Sequence, residues 1–386
     1  RNQLHRNPLQ GDVGRIFFMN ENCIGHLSGK PVSVTNVKKG SDNELKEFFS
    51  KFNFMKFAFE ISSLSKINFN KTEPQKYGSQ FYNDEILAHT FQLAAKYSLS
   101  GSEGIQPNSE CIIKALQYAS GAVEEKTIAE KDPSIVMVKV AYAQYQDSLF
   151  NMIARNWFIY SHLWSEVRNC NISPLQEIKE IYGVTLRELF VYGIFLCNED
   201  IGLSPNAEHE KEFENYLGAD YTQKGYAKFL DFFSCEQDEW NCDGTPPFYC
   251  LHPIIRSKDP CPKINELAYF TPVKNKLMAR VTSSIYFDLC DKFKGVGKIN
   301  PFKKEFGEIF EQYVGKILNE YLTSYVVTPE IVYKEGQNEV KSVDFFVKKN
   351  TDLVLIEVKQ SSIFALSKTE GNQELLLEDL KKTVLK

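Results

Sequence analysis

The sequence lacks any run of about eighteen apolar residues, and its first thirty residues lack the basic start and apolar stretch of a secretory leader. Membrane insertion and secretion are therefore not expected. Charge of one sign is also missing: 45 Lys and Arg against 50 Asp and Glu leave −5, which excludes a chain that holds nucleic acid by bulk positive charge. No phosphate-cradling loop is present, because Lys294-Gly295-Val296-Gly297-Lys298 has the glycines and lysines without the spacing or the following Ser or Thr. An intrinsic ATPase is disfavoured, and any energy source or targeting is expected from a partner protein. The six histidines are scattered, with His89 and His162 inside helical patterns, and none stands with a Cys or Ser in a nucleophile arrangement. Cysteine is present but odd in number, nine over the whole chain, which suits reduced thiols in a cytoplasm better than a disulfide framework.

What is present is enough for large cores. The chain has 386 residues, 43% hydrophobic and 13% aromatic with 25% charged, which contradicts wholesale disorder and exceeds the size of one ordinary domain. It opens on Arg1 rather than Met, which points to a trimmed start. Residues 1–83 read as a mixed α/β region with a helix through Asn43–Phe54. From Asp84 the apolar period becomes helical, so residues 84–293 are expected to form a helical accessory region that senses a trigger or holds a partner. Within it a long stretch from Ile135 to Val167 carries a stripe of Val138, Tyr142, Tyr145, Leu149, Ile153 and Trp157, read as core, with a break near Gln146 or Asn156. Residues 235–262 read as a loop-rich connector. Cys235, Cys242, Cys250, His252 and Cys261 stand there with gaps of six, seven, one and eight residues, unlike the pairs of compact zinc sites, so structural thiols are expected ahead of zinc. The glycines of Lys294–Lys298 read as a hinge or linker.

Residues 271–386 hold 18 Lys and Arg and 16 Asp and Glu, net +2, against 27 and 34, net −7, in residues 1–270. Lys274, Lys276, Arg280, Lys292, Lys294, Lys298, Lys303 and Lys304 crowd the start of this stretch. They suit either a nucleic-acid backbone or a solvated helix face.

The most informative segment lies between Val340 and Gln360. Two strand-like runs, Val340–Lys349 and Leu353–Gln360, flank Asn350-Thr351-Asp352, residues that favour a tight turn. With Asn350 and Thr351 as the loop, Lys349 faces Asp352, Phe346 faces Leu355 and Asp344 faces Glu357. One face then collects Val343, Phe345, Val347, Val354, Ile356 and Val358 and is expected to be core. The other collects Ser342, Asp344, Phe346, Leu355, Glu357 and Lys359. Carboxylates directly opposed on a hairpin repel, and a divalent cation with hard oxygen ligands would relieve Asp344 and Glu357. Upstream, Lys303–Leu322 is an amphipathic helix, with Glu311 on the flank of its apolar face. Gly307, one turn earlier, leaves room there for a backbone or ligand.

These residues resemble the PD-(D/E)XK nuclease superfamily, the restriction-endonuclease-like fold. The resemblance spans about residues 300–386 and rests on Gly307-Glu308-Ile309-Phe310-Glu311, Ser342-Val343-Asp344 and Glu357-Val358-Lys359-Gln360, with Val343 in place of the proline that names the motif. It implies an α+β or α/β nuclease domain of αβββα(β) order over residues 294–386. In such a domain Asp344, Glu357 and Glu311 hold Mg²⁺ or Mn²⁺, Lys359 orients or deprotonates the attacking water, and Gln360 joins the active site. The expected reaction is metal-dependent phosphodiester hydrolysis, on DNA ahead of RNA. The family fold also needs a strand after the helix expected at Gln373–Leu385, so the chain is expected to continue past Lys386. The layout resembles prokaryotic nucleases of anti-phage defence. The alternative from another class is a non-catalytic interaction protein using a degenerate nuclease fold.

Overall fold

The computed structural model describes residues 26–27, 30–31, 40–69, 71, 75–78, 80–100, 104–128, 148–166, 172–199, 202–203, 206–240, 251–256 and 268–358. It is a mixed α+β structure with small sheets. The helices in chain order are α1 (Asp42–Phe49), α2 (Phe54–Asn68), α3 (Asp84–Tyr97), α4 (Ser109–Ile128), α5 (Leu149–Trp157), α6 (Pro174–Tyr182), α7 (Leu186–Asn198), α8 (Ala207–Leu217), α9 (Gly225–Phe233), α10 (Gln237–Trp240), α11 (Lys274–Val281), α12 (Ile285–Gly295) and α13 (Ile299–Tyr321). The strands are β1 (His26–Leu27), β2 (Lys30–Pro31), β3 (Gln75–Tyr77), β4 (Gln80–Tyr82), β5 (Gly202–Leu203), β6 (Ser234–Glu236), β7 (Ile254–Arg256), β8 (Ala268–Phe270), β9 (Val326–Pro329), β10 (Val332–Glu335), β11 (Asn338–Lys341), β12 (Phe345–Lys349) and β13 (Asp352–Ile356). Among the described residues no helix is long and apolar enough to cross a membrane.

Side-chain caps start many of the helices. Ser41 and Thr185 form capping boxes with Glu44 and Glu188, while Asn53, Asn83, Ser148 and Asn206 each accept a backbone N–H from the first turn. Two apolar cores result. One joins α1 to α4 through Phe49, Phe57, Ile61 and Phe91 and takes in Trp240, Ile255 and Val273. The other runs from Met152 through α6, α7, α9, α11 and α12 to Phe302, Phe306 and Ile309 of α13. The cores share a buried polar seam, in which Asp84, 1% exposed, accepts from Asn68 of α2 and from Asn275 Nδ2 of α11 at 2.8 Å. Beside it Lys274, fully buried, donates its Nζ to the Glu199 carbonyl at 2.8 Å.

Three expectations need correction. Residues 235–262 are not simply a loop: Ser234–Glu236 pairs in parallel with Ile254–Arg256 inside a four-stranded sheet of order β5-β8-β7-β6. Cys235 is buried in that sheet, its Sγ on the carbonyls of His252 and Ile254, while Cys242, Cys250 and Cys261 lie outside the described residues. The break in the long helix is a widening. After Trp157 the chain runs through a π-helix, Phe158–Leu163, in which the Trp164 N–H bonds the Ile159 carbonyl five residues back. Asn156, Ser161 and Ser165 send side chains to nearby carbonyls of the same helix, compensating the disturbed ladder. Residues 135–147 of the expected stripe lie outside the described residues. Lys294–Lys298 is a closed turn between packed helices, with Gly297 at φ 72° and Lys298 N–H on the Phe293 carbonyl at 2.8 Å.

Replacing Asp84 by Ala would remove the acceptor that the amides of Asn68 and Asn275 share in the seam, at a cost of about 2–4 kcal/mol. Urea unfolding should show it as a lower midpoint; a loss below about 1 kcal/mol would mean that the seam does not hold the two cores together.

Candidate active site

Helix α13 serves two surfaces. Its first half enters the helical core through Phe302, Phe306 and Ile309, and its second half lies against a three-stranded antiparallel sheet of order β13-β12-β9. Gly315 sets how close they come, since a Cβ there would stand 2.9 Å from the Phe345 ring. Gly307, the glycine expected to admit a neighbour, has nothing within 4 Å of its would-be Cβ. Close approach is needed eight residues further along, where the helix crosses β12.

The hairpin has the register expected from its turn: Phe346 pairs with Leu355, Val347 with Val354 and Lys349 with Asp352. Asn350 takes the left-handed conformation at φ 53°, which Asn tolerates better than most residues. The expected core face is only partly covered. Phe345 and Val347 on the central strand are buried, whereas Val354 is 56% exposed. The reason is position, because β13 is the edge strand and α13 lies over β12 and β9.

The ladder ends at Phe345 and Ile356, one pair before the two acids. Asp344 Oδ2 instead accepts the Val358 backbone N–H, so it reaches across to the chain beside Glu357. Glu357 is exposed. Lys359 and Gln360 lie outside the described residues. Between β9 and β12 the chain makes a separate hairpin, β10 with β11, whose base is tied by Ile331 N–H to Ser342 Oγ at 2.8 Å and Ser342 N–H to the Ile331 carbonyl at 3.0 Å. That knot brings Glu330 opposite Lys341, paired at 2.9 Å.

Glu311 is therefore not alone with Asp344. Partial burial pushes its carboxyl above the ordinary glutamate value, the negative charges of Asp344 and Glu330 push it further, Lys341 opposes them, and Glu308 adds a smaller upward push. A shallow open cleft of about 610 Å³ runs beside it, lined by Glu311, Gln312, Gly315, Lys316, Asn319, Glu320, Pro329 and Phe345. Glu330 and Lys341 were not singled out from the sequence. The signal was Pro329-Glu330, an acid directly after a strand, but only the β10–β11 hairpin brings it to the others. Among the described residues no three His, Cys, Asp or Glu side chains converge to hold a metal ion. The donor chemistry nevertheless suits a hard cation, since Glu311 is half-buried beside two further carboxylates, with one lysine against the three. No family model, curated protein or solved structure matches the chain.

Two outcomes follow. Folded Glu311 holds its proton more tightly than unfolded Glu311, so its stabilising contribution is complete below the unfolded glutamate range and is lost as pH rises through the raised value. In EDTA, Glu311→Gln should therefore raise the thermal midpoint over the parent at about pH 7.5 and change it little at about pH 4; equal shifts at both would refute the raised proton affinity of Glu311. Gly315→Val should overpack the Phe345 contact and cost about 1–3 kcal/mol in urea unfolding, an unchanged midpoint showing that α13 does not press on β12.

Proposed function

We propose that the chain is a metal-dependent nuclease, hydrolysing phosphodiester bonds in nucleic acid, with its active site at Glu311, Asp344 and Glu357. The observation that carries the reading is the placing of a partly buried Glu311 on a helix beside a cleft, its carboxyl raised by burial first and by the charge of Asp344 at a strand end second. Carboxyls with values raised by burial and like charge cluster at functional sites. Supporting it are the hairpin register, which brings Asp344 to the level of Glu357 and Val358, and the order of helix, β9, β12 and β13, which follows the αβββ plan of the PD-(D/E)XK superfamily with β10–β11 inserted.

In this reading Glu311 and Asp344 would hold Mg²⁺ or Mn²⁺, with Glu357 brought in from its exposed position as the third ligand. Bound there, such an ion supplies charge neutralisation at the phosphate and a more acidic water. The protein's own groups do the rest. Val358 N–H fixes one oxygen of Asp344 and so sets the direction of the other. Lys359, by the family resemblance, orients the attacking water and accepts or shares its proton. Glu330 and Lys341 balance the site while it is empty of substrate, the ammonium offsetting part of the acidic field.

Incubating the chain with plasmid, single-stranded DNA and RNA, each with Mg²⁺ or with EDTA, tests the reading. EDTA-sensitive cutting is expected, and Asp344→Ala or Lys359→Ala should each lower it by at least about a hundredfold with an unchanged circular dichroism spectrum. Undiminished cutting by both variants would remove these residues from the mechanism, and the absence of Mg²⁺-dependent cutting on all three substrates would favour the non-catalytic alternative.

A further inference from the structure

Eight basic residues precede or open α13, and the structure sorts them. Lys274 is buried on the Glu199 carbonyl, Lys276 pairs with Glu85 at 3.4 Å, Arg280 pairs with Asp288, and Lys292 bridges Glu177 and Glu180. These four are consumed by the fold. Lys294, Lys298, Lys303 and Lys304 are exposed and pair with no carboxylate among the described residues.

The four lie at one end of α13, in and just after the turn that joins it to α12. The first turn of α13 carries no acid, and its N-cap, Lys298, makes no side-chain cap, so the positive end of the helix adds to the lysines instead of being neutralised. Asp291 and Glu308, the exposed carboxylates of this stretch, stand at its two edges. Gly295 and Gly297, like Gly307, have open space where a Cβ would be, so a bulky chain can approach the backbone closely.

The direction of the patch is set by helical periodicity. Lys304, Gly307, Glu311 and Gly315 are spaced by three, four and four residues and share one face of α13. Lys304 and Glu311 are two turns apart, about 10.5 Å along the axis. Between them the face carries Gly307 on one side and the exposed Glu308 on the other, so the open way along it is over Gly307, and beyond Glu311 the same face opens into the cleft lined by Gln312, Gly315 and Asn319.

We propose that Lys294, Lys298, Lys303 and Lys304 form a grip for the phosphate backbone of a nucleic acid, which passes from them over Gly307 to the acids at Glu311 and Asp344. Recognition there is of phosphate charge and not of base sequence. The lysines supply affinity and register, and the acids act on the strand so placed. The path over Gly307 rests on the nuclease reading above, whereas the grip itself requires only that the chain bind nucleic acid.

The test uses the full chain, in EDTA, with a fluorescein-labelled duplex DNA, the matching single strand and the matching RNA, read by anisotropy across about 50–200 mM KCl. Replacing all four lysines by Gln should flatten the log–log salt dependence by about 3.6 for the duplex, at about 0.9 per contact, on the order of a hundredfold in affinity at the low-salt end. The quadruple Lys46→Gln, Lys179→Gln, Lys211→Gln, Lys334→Gln carries the same charge change elsewhere and should keep the parent slope. An unchanged slope in the first variant, an equal loss in the second, or a parent chain that binds none of the three nucleic acids overturns the grip. Cleavage with Mg²⁺ is scored separately: loss of binding with no cutting by the parent sustains the grip and sinks the nuclease, while cutting by the parent with unaltered binding by the variant does the reverse. The nucleic acid with the tightest binding identifies the substrate.

Discussion

The double burial of α13 is the constraint on which the candidate site depends. A helix of this length has to satisfy an apolar stripe over many turns, and no single partner here covers it. Phe302 stacks with Phe293 of α12 and Phe306 packs at a tilt on Tyr286, which fixes the start of the helix in the helical core. Gly315 then lets the far end lie directly on Phe345. With both ends fixed, the backbone at Glu311 is held at one distance from β12, so its partial burial and the charge of Asp344 both follow from the fold.

The same helix joins the site to the rest of the chain. The π-helical stretch reaches it through Tyr160 and Phe306, and Phe158 lies beside Tyr313. Lys316 sits over Phe158 and pairs with Glu166 at 2.6 Å, just past the wide turns. A π-turn holds one residue more than its α-helical equivalent, and such stretches survive where the surrounding packing needs the altered register. Here Ile159, Tyr160 and Leu163 are all buried, whereas an α-helical register would rotate the following residues by about 100° and carry Trp164 out of its stack on Phe302. The widening is thus the geometry that lets one helix present an unbroken surface to α13.

How much of this was legible in the sequence depends on the range of the interaction. The hairpin register followed from two residues, Asn350 and Thr351, and from the period of two on either side, because turn chemistry and side-chain alternation are local. The flank position of Glu311 followed from helical periodicity for the same reason. Exposure of Val354 did not, since alternation says which residues share a face and not what covers it. Gly307 and Gly315 are alike in sequence, and only the crossing point of the helix over β12 separates them. The polar seam of Asn68, Asp84 and Asn275 was invisible because its members stand far apart in the chain.

Charge taught the sharper lesson. A cluster of lysines in sequence has two physical fates, pairing with acids of the fold or remaining in water, and the choice is made by residues that the cluster itself does not contain. Lys292 is neutralised by Glu177 and Glu180 of α6, more than a hundred residues away, while Lys294, two positions on, has no such neighbour among the described residues. The acids follow the same rule in reverse. Glu330 is held by Lys341 through the base of a hairpin, whereas Glu311 receives burial and like charge. Folding has spent its counter-charges on the surfaces it needs to close. The charges left over stand positive at the start of α13 and negative at its middle, Lys304 sharing a face with Glu311, and that ordering gives them a direction along the helix.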